Sequence, residues 1–108
     1  MTAKLAVLVC WKPDADPAAI TEFLDEVGGQ LAQGPYLSVE HGVALNPATT
    51  SDKRSPKGSF LADWGFVAEM AEPGAARQWR DEELHRKMEA KLSSIAGMMT
   101  VLSWQTAP

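Results

Sequence analysis

The chain opens its ordered pattern with Leu5-Ala6-Val7-Leu8-Val9-Cys10-Trp11, apolar at nearly every position. Such a run reads as a strand buried on both faces. Lys12-Pro13-Asp14-Ala15-Asp16-Pro17 interrupts it. Asp16 is placed to cap a helix, and Pro17 suits a first turn, where no N–H is required. Ile20, Phe23, Leu24, Val27 and Leu31 then recur at helical spacing and predict one apolar stripe. Gly28-Gly29 weakens that helix by about 1 kcal/mol per glycine relative to alanine, and Gly34-Pro35 ends it.

Residues 36–46 predict a second strand, with Leu37, Val39, His41, Val43 and Leu45 on one face. Residues 60–70 predict a third. Phe60, Ala62, Trp64, Phe66, Ala68 and Met70 share one of its faces, and Leu61, Asp63, Gly65, Val67 and Glu69 the other. Glu72-Pro73-Gly74 turns the chain into a second helical region, opened by Ala75, Ala76 and Trp79 and continued by Leu84, Met88, Leu92 and Ile95. The dense charge of Arg80-Asp81-Glu82-Glu83 predicts a bend or restart within it. Gly97 is a natural helix stop, and residues 98–105 predict a fourth strand, again apolar on both faces.

The order strand, helix, strand, strand, helix, strand is the split βαβ, or ferredoxin-like, arrangement of the α+β class. It predicts a four-stranded antiparallel sheet with both helices on one face, in a single domain over residues 1–108. The first and last strands are apolar on both faces, yet the helices cover only one. The other face would expose an apolar patch of a size that monomers rarely show. A second copy packed sheet to sheet removes it, so a homodimer through the sheet faces, a dimeric α+β barrel, is expected.

Composition narrows the classes. The 108 residues carry a formal net charge of -4, with 45% hydrophobic and 22% charged positions. That balance suits one soluble globular domain and excludes a disordered chain. The acidic charge argues against nucleic acid as a partner. No apolar run approaches the roughly 18 to 20 residues of a membrane span. Lys12-Pro13-Asp14 follows the first apolar run where an export signal needs small residues, so a cytoplasmic protein is expected. The single cysteine, Cys10, excludes an internal disulfide. Residues 46–59 read as a loop, rich in Pro, Ser, Thr and Gly and locally basic through Lys53, Arg54 and Lys57.

Among chemistry-bearing residues, His85 stands out. With Leu84 as origin, Met88, Leu92 and Ile95 fall within about 80° on a helical wheel, and His85 lies near 100°, on the rim of the apolar stripe. A half-buried imidazole there exchanges protons near neutral pH, or simply pairs with Glu82 or Glu89. His41 lies on an apolar strand face, where it meets a cavity, the dimer partner or a satisfying backbone group. Cys10 reads as a core thiol. Trp11 and Trp104 read as packing residues, while Trp64, Phe66 and Trp79 either wall an aromatic pocket or fill the core. Two histidines and one cysteine, widely spaced, form no metal pattern. No phosphate cradle or nucleophile elbow is present, so no cofactor is expected.

With these residues in place, the chain resembles the stress-responsive A/B barrel (Dabb) domains over essentially its whole length. The resemblance rests on Lys4-Leu5-Ala6-Val7-Leu8-Val9, on Glu22-Phe23, on Ser38-Val39-Glu40-His41-Gly42, on the strand from Trp64, and on Trp79-Arg80-Asp81-Glu82-Glu83-Leu84-His85. Family members often carry an aromatic residue, then His-Pro, then a further histidine in that last segment. Trp79 takes the aromatic place, His85 the second histidine place, and Glu82-Glu83 stand where His-Pro would be.

One branch of the family is similar to a plant polyketide cyclase, which closes a ring by aldol chemistry without a cofactor. There a histidine at the place of His85 is the base and a tyrosine at the place of Val27 holds it. A second tyrosine lies at the place of Trp79 and a histidine at the place of Leu5. This chain keeps only His85. The resemblance thus implies a small-molecule pocket lined by Leu5, Val7, Val9, Val27, Trp64, Phe66 and Trp79. His85 would be general acid or base for a cofactor-independent cyclase, isomerase or decarboxylase acting on an apolar, oxygenated, polyketide-like substrate. Two alternatives stand beside it. One is a fold-mate among the antibiotic-biosynthesis-type monooxygenases, including haem-degrading members, to which Trp79 and His85 bear a loose likeness. The other is a non-catalytic, stress-associated binding dimer.

Overall fold

The structure is a computed structural model describing residues 2–45 and 62–106. The anticipated loop over 46–59, and positions 60 and 61 of the anticipated third strand, lie outside the described residues. The element order is β1 (Ala3–Trp11), α1 (Pro17–Ala32), β2 (Tyr36–Val43), β3 (Trp64–Met70), α2 (Gly74–Arg80), α3 (Glu83–Ile95) and β4 (Ala96–Gln105). The four strands form one antiparallel sheet in the order β2-β3-β1-β4. This is the split βαβ order anticipated from the pattern, with the second helical region divided at Asp81-Glu82 where the charge is densest.

Local chemistry sets the helix ends. The Asp16 carboxylate accepts from the Ala18 N–H at 3.0 Å, and Pro17 opens α1. Phe23, Val27 and Leu31 on α1 and Met88, Leu92 and Ile95 on α3 are buried against Val7, Val9, Trp64, Phe66 and Ala68 of the sheet. Phe23 is the hub: its ring stands edge-on to Trp64 at 5.1 Å and to Trp11 at 6.1 Å. Such edge-to-face pairs add stabilisation beyond the area they bury. On the outer side, Lys91 of α3 reaches Glu22 at 3.0 Å and also Glu26, tying the two helices together.

Register assigns the faces. Ala3, Leu5, Val7 and Val9 of β1 sit opposite Met70, Ala68, Phe66 and Trp64 of β3 on the helix side. Ala6, Leu8 and Cys10 sit level with Leu102, Thr100 and Met98 of β4 on the open side. That open side exposes Leu8, Val67, Met98, Leu102 and Trp104, with Leu102 60% exposed. The apolar surplus read from the sequence is therefore real, and among the described residues it is uncovered.

Three local expectations are corrected. A bulge between Tyr36 and Ser38 takes Leu37 out of the alternation, and β2 stops at Val43, leaving Leu45 exposed. Gly97 does not stop a helix: α3 passes directly into β4 at Ala96. Its lack of a side chain serves a close approach instead, because a Cβ there would lie 3.2 Å from the Lys12 backbone. Asp63 is not an outward strand residue but is buried, and its carboxylate accepts from the Trp11 N–H at 2.7 Å beside the bulge in β1.

The two adjacent glycines of α1 differ. A Cβ on Gly29 meets nothing within 4 Å, whereas one on Gly28 would lie 3.1 Å from Nε2 of His41. Gly29→Ala is expected to raise stability by about 0.5–1 kcal/mol, a gain of a few degrees in Tm. Gly28→Ala is expected to show no such gain until His41 is also replaced by Ala. Equal gains in thermal unfolding for the two single variants would contradict this account of His41.

Candidate functional site

The break between α2 and α3 shapes the site. The Asp81 N–H donates to the Gln78 carbonyl at 3.2 Å and the Glu82 N–H to the Trp79 carbonyl at 3.0 Å, closing α2. Glu82 is extended, and α3 restarts at Glu83. The turn folds His85 back onto Trp79, with ring centroids 5.7 Å apart and planes at 71°. Trp79 in turn meets Tyr36, at the start of β2, edge-on at 6.3 Å. Tyr36 lies over Gly34, where a Cβ would come within 2.5 Å of the phenol ring, so the close approach requires glycine.

A cleft of 430 Å³ opens beside this group. The α1–β2 turn (Gln33, Gly34, Pro35), Ala75, Gln78 and Trp79 of α2, Glu82 and Leu84 line it. His85 and Tyr36 touch Trp79 but do not themselves line the cleft.

Polar groups here are under-satisfied. Among the described residues, four buried side-chain nitrogen or oxygen atoms lack a hydrogen-bond partner, and two of them are Nε1 of Trp79 and Nδ1 of His85. Folded proteins pair most such groups, so two on touching rings call for an explanation. Nδ1 of His85 is 3.5 Å from Oε2 of Glu89, an ion pair when the imidazole is protonated but too poorly placed for a hydrogen bond. Burial pushes the Tyr36 phenol up to about 12, with the Trp79 indole pulling weakly the other way. The indole falls short of a full hydrogen bond, since Nε1 stays unpaired.

The anticipated pocket residues divide into two groups. Val7, Val9, Val27, Trp64 and Phe66 pack in one core cluster, with Leu5 half-buried against it. Trp64 and Phe66 also border a second cleft of 330 Å³, shared with His41, Glu40 and Leu8. Trp79 and His85 stand together at the first cleft. Tyr36 was not singled out in the sequence, and the sign of it was the Gly34-Pro35-Tyr36 run, a glycine two residues before an aromatic ring. The Cys10 thiol is pushed up by burial and by the nearby Asp63 carboxylate, as suits a packed thiol rather than a nucleophile. Among the described residues, no group of three or more His, Cys, Asp or Glu side chains is placed to hold a metal ion. No described helix is long and apolar enough to cross a membrane.

No protein-family model matches the chain, and no curated protein matches it in sequence. Solved structures do match in shape. A dimeric ferredoxin-like protein of unknown function from Thermobifida fusca superposes with a TM-score of 0.76 at 15% identity, covering 98% of this chain and 92% of that one. A Dabb family protein from Mesorhizobium loti, described as ferredoxin-like, gives 0.71 at 16% identity, covering 99% of this chain and 98% of the other. The chain has a ferredoxin-like fold, as these proteins do. A hydroxynitrile lyase from Passiflora edulis shares it, with a TM-score of 0.72 at 13% identity and coverage of 99% and 97%.

Tyr36 is the chain's one tyrosine, so its ionisation can be followed alone. Absorbance at the phenolate band is expected to rise in one step near pH 12 in the folded protein. The folded value lies above the unfolded one of about 10. Folding stability linked to this group is therefore intact below pH 10 and falls as pH rises from there through 12. A step at the ordinary tyrosine value in folded protein would mean that the phenol is solvated.

Proposed function

We propose that this chain is a cytoplasmic, Dabb-like small-molecule-binding protein that works as a homodimer. On this reading the cleft beside Tyr36, Trp79 and His85 is a site of cofactor-independent proton transfer. The observation that carries it is the pair of buried, unpaired nitrogens on the touching rings of Trp79 and His85. A bound molecule with carbonyl or hydroxyl oxygens would complete them.

The chemistry follows from three groups. His85 offers an imidazole, the side chain most used as a general base, with Oε2 of Glu89 3.5 Å from its Nδ1. The Tyr36 phenol keeps its proton up to about pH 12, so near neutrality it is a neutral donor for an oxygen that gains negative charge. The Trp79 indole N–H is a second neutral donor. One base with two neutral donors suits proton removal next to a carbonyl, the step shared by cyclases, isomerases and decarboxylases of oxygenated substrates. Neither His85 nor Tyr36 lines the cleft, so the Trp79 ring has to turn aside for either to reach the substrate. That a hydroxynitrile lyase has this fold supports a reading in which such a scaffold hosts chemistry.

Dimerisation rests on the open face. Leu8, Val67, Met98, Leu102 and Trp104 form an apolar surface that a second copy would bury. The neighbours from Thermobifida fusca and Bacteroides fragilis, described as dimeric, support this arrangement. A second reading, a binding dimer without catalysis, is favoured by the packing of Val7, Val9, Val27, Trp64 and Phe66 into the core rather than around a void.

Native mass spectrometry of freshly purified protein is expected to show a dimer at micromolar concentration that releases a defined small mass on gentle activation. His85→Gln should leave the dimer intact and slow turnover of that compound at least about tenfold. Unchanged turnover would favour the binding dimer. Leu102→Glu should place a charge in the interface and weaken dimerisation by about a hundredfold or more, read by sedimentation. A wild-type monomer at these concentrations would refute the dimer.

A further inference from the structure

We propose that the oxygenated compound taken by the cleft beside Trp79 carries a protonated amine, so that this site selects small organic cations over organic anions. The inference rests on the reading of that cleft as a small-molecule site. Charge decides it, beginning at the end of α1. This helix has 16 residues, and its C-cap Gln33, with Gly34 and Pro35, lines the cleft. A helix of this length presents roughly half a negative charge at its C-terminal end. Basic side chains often answer that charge, but the last turn of α1 carries none. The Gln33 N–H donates to the Gln30 carbonyl at 3.2 Å, the Gly34 N–H to the Leu31 carbonyl at 3.0 Å, and Nε2 of Gln33 to the Gly29 carbonyl at 3.3 Å. Pro35 has no N–H to offer the Ala32 carbonyl.

Glu82 adds a full negative charge. It is the ionised residue of the lining; the others are Gln33, Gly34, Pro35, Ala75, Gln78, Trp79 and Leu84. Its backbone is tied on both sides, the N–H to the Trp79 carbonyl at 3.0 Å and the carbonyl to the Arg86 N–H at 3.1 Å. Its side chain is not. Glu82 stands at the N-cap of α3 yet makes no capping bond. Among the described residues it enters no ion pair, whereas Glu83 and Glu89 on the same helix meet Lys87 and His85.

The positive end of α3 opposes this charge, but by only about half a unit, and the end of α1 cancels it. The arginines of α2 do not help an anion here. At roughly 100° per residue, Ala75, Gln78 and Trp79 fall on one side of that helix, and Arg77 and Arg80 on the other. Those two border a separate cleft of 310 Å³. With Nε2 of Gln33 engaged by Gly29, its amide oxygen is left as an acceptor. An ammonium group, with three donors and one positive charge, suits a carboxylate, an amide oxygen and a helix C-terminus together. A carboxylate ligand meets like charge from the first and the last. Pro35, Ala75 and Leu84 leave apolar surface for the body of the molecule.

The test follows the Trp79 indole N–H by NMR in the intact protein near neutral pH, assigned by Trp79→Phe. Three probes share one ring system: 1-naphthylmethylammonium, neutral 1-naphthalenemethanol and 1-naphthoate. Saturable shifts are expected with the ammonium probe, which should bind at least about fivefold tighter than the carboxylate. Added salt should narrow that gap. Glu82→Gln should reduce the ratio at least about threefold, and Gln33→Lys, which sets a cation at the end of α1, should reduce it as well. Both residues are exposed and the Glu82 side chain caps nothing, so both variants are expected to fold, as circular dichroism will show. Carboxylate binding as tight as that of the ammonium, or a ratio unchanged in either variant, would overturn the inference and leave the cleft a small-molecule site. No saturable shift with any of the three would overturn the inference together with the reading of the cleft on which it rests.

Discussion

Everything in this molecule leans on the position of β1. It is an interior strand, bonded to β3 on one side and β4 on the other, and its residues are apolar towards both faces. Only one of those faces meets helices. On that side Val7 and Val9 complete a core closed by Phe23, Val27 and Leu31 from one helix and Met88, Leu92 and Ile95 from the other. On the other side Leu8 and its neighbours on β3 and β4 stay exposed, with no helix over them among the described residues. A sheet with one covered face and two apolar faces is an incomplete object, and burial of the second face is the driving force left over for association.

The interruption between α2 and α3 has a comparable reach. A continuous helix from Gly74 to Ile95 would carry Trp79 and His85 on faces set by their six-residue spacing. Dividing it at Asp81-Glu82 turns the second helix so that the two rings touch. The break also leaves α2 as a separate short rod whose two sides border different clefts, one with the Trp79 indole and glutamine amides and the other with two guanidinium groups that have no acidic partner among the described residues. One charged turn in the sequence thus accounts for both concentrations of unspent polar chemistry.

Much of this was legible in the residues. The two helical stripes and the strand alternation are periodic over enough positions to fix element type and order, and the surplus of apolar positions in the first and last strands foretold the bare face. Trp79 and His85 were placed by resemblance, and the charge that breaks the helix was read as a bend, but not the contact that the bend makes between the two rings. What escaped were features that periodicity does not encode. Leu37 reads as one more inward strand residue, but a bulge next to it is a matter of backbone register. Gly97 has the composition of a helix stop, but what required glycine was the neighbouring β1 backbone, remote in sequence. Asp63 fits the polar half of an alternating strand, yet it lies just before β3 begins and turns inward to satisfy an amide of β1. Tyr36 acquired its raised pKa from burial, beside an indole more than forty residues away that it meets only once the sheet and α2 are assembled.

The passage from Ile95 to Ala96 without an intervening loop removes all slack between α3 and β4. Helix and strand are phased to each other as two gears on one shaft. Adding a single residue at the junction would rotate the helix by roughly 100° relative to the strand, or else invert which strand side chains face the helices. The two periods cannot both absorb the same shift. Length at this point is therefore fixed more tightly than residue identity, and diversity in proteins built this way should collect at the α1–β2 turn and the β2–β3 connection, where neither period has to carry through.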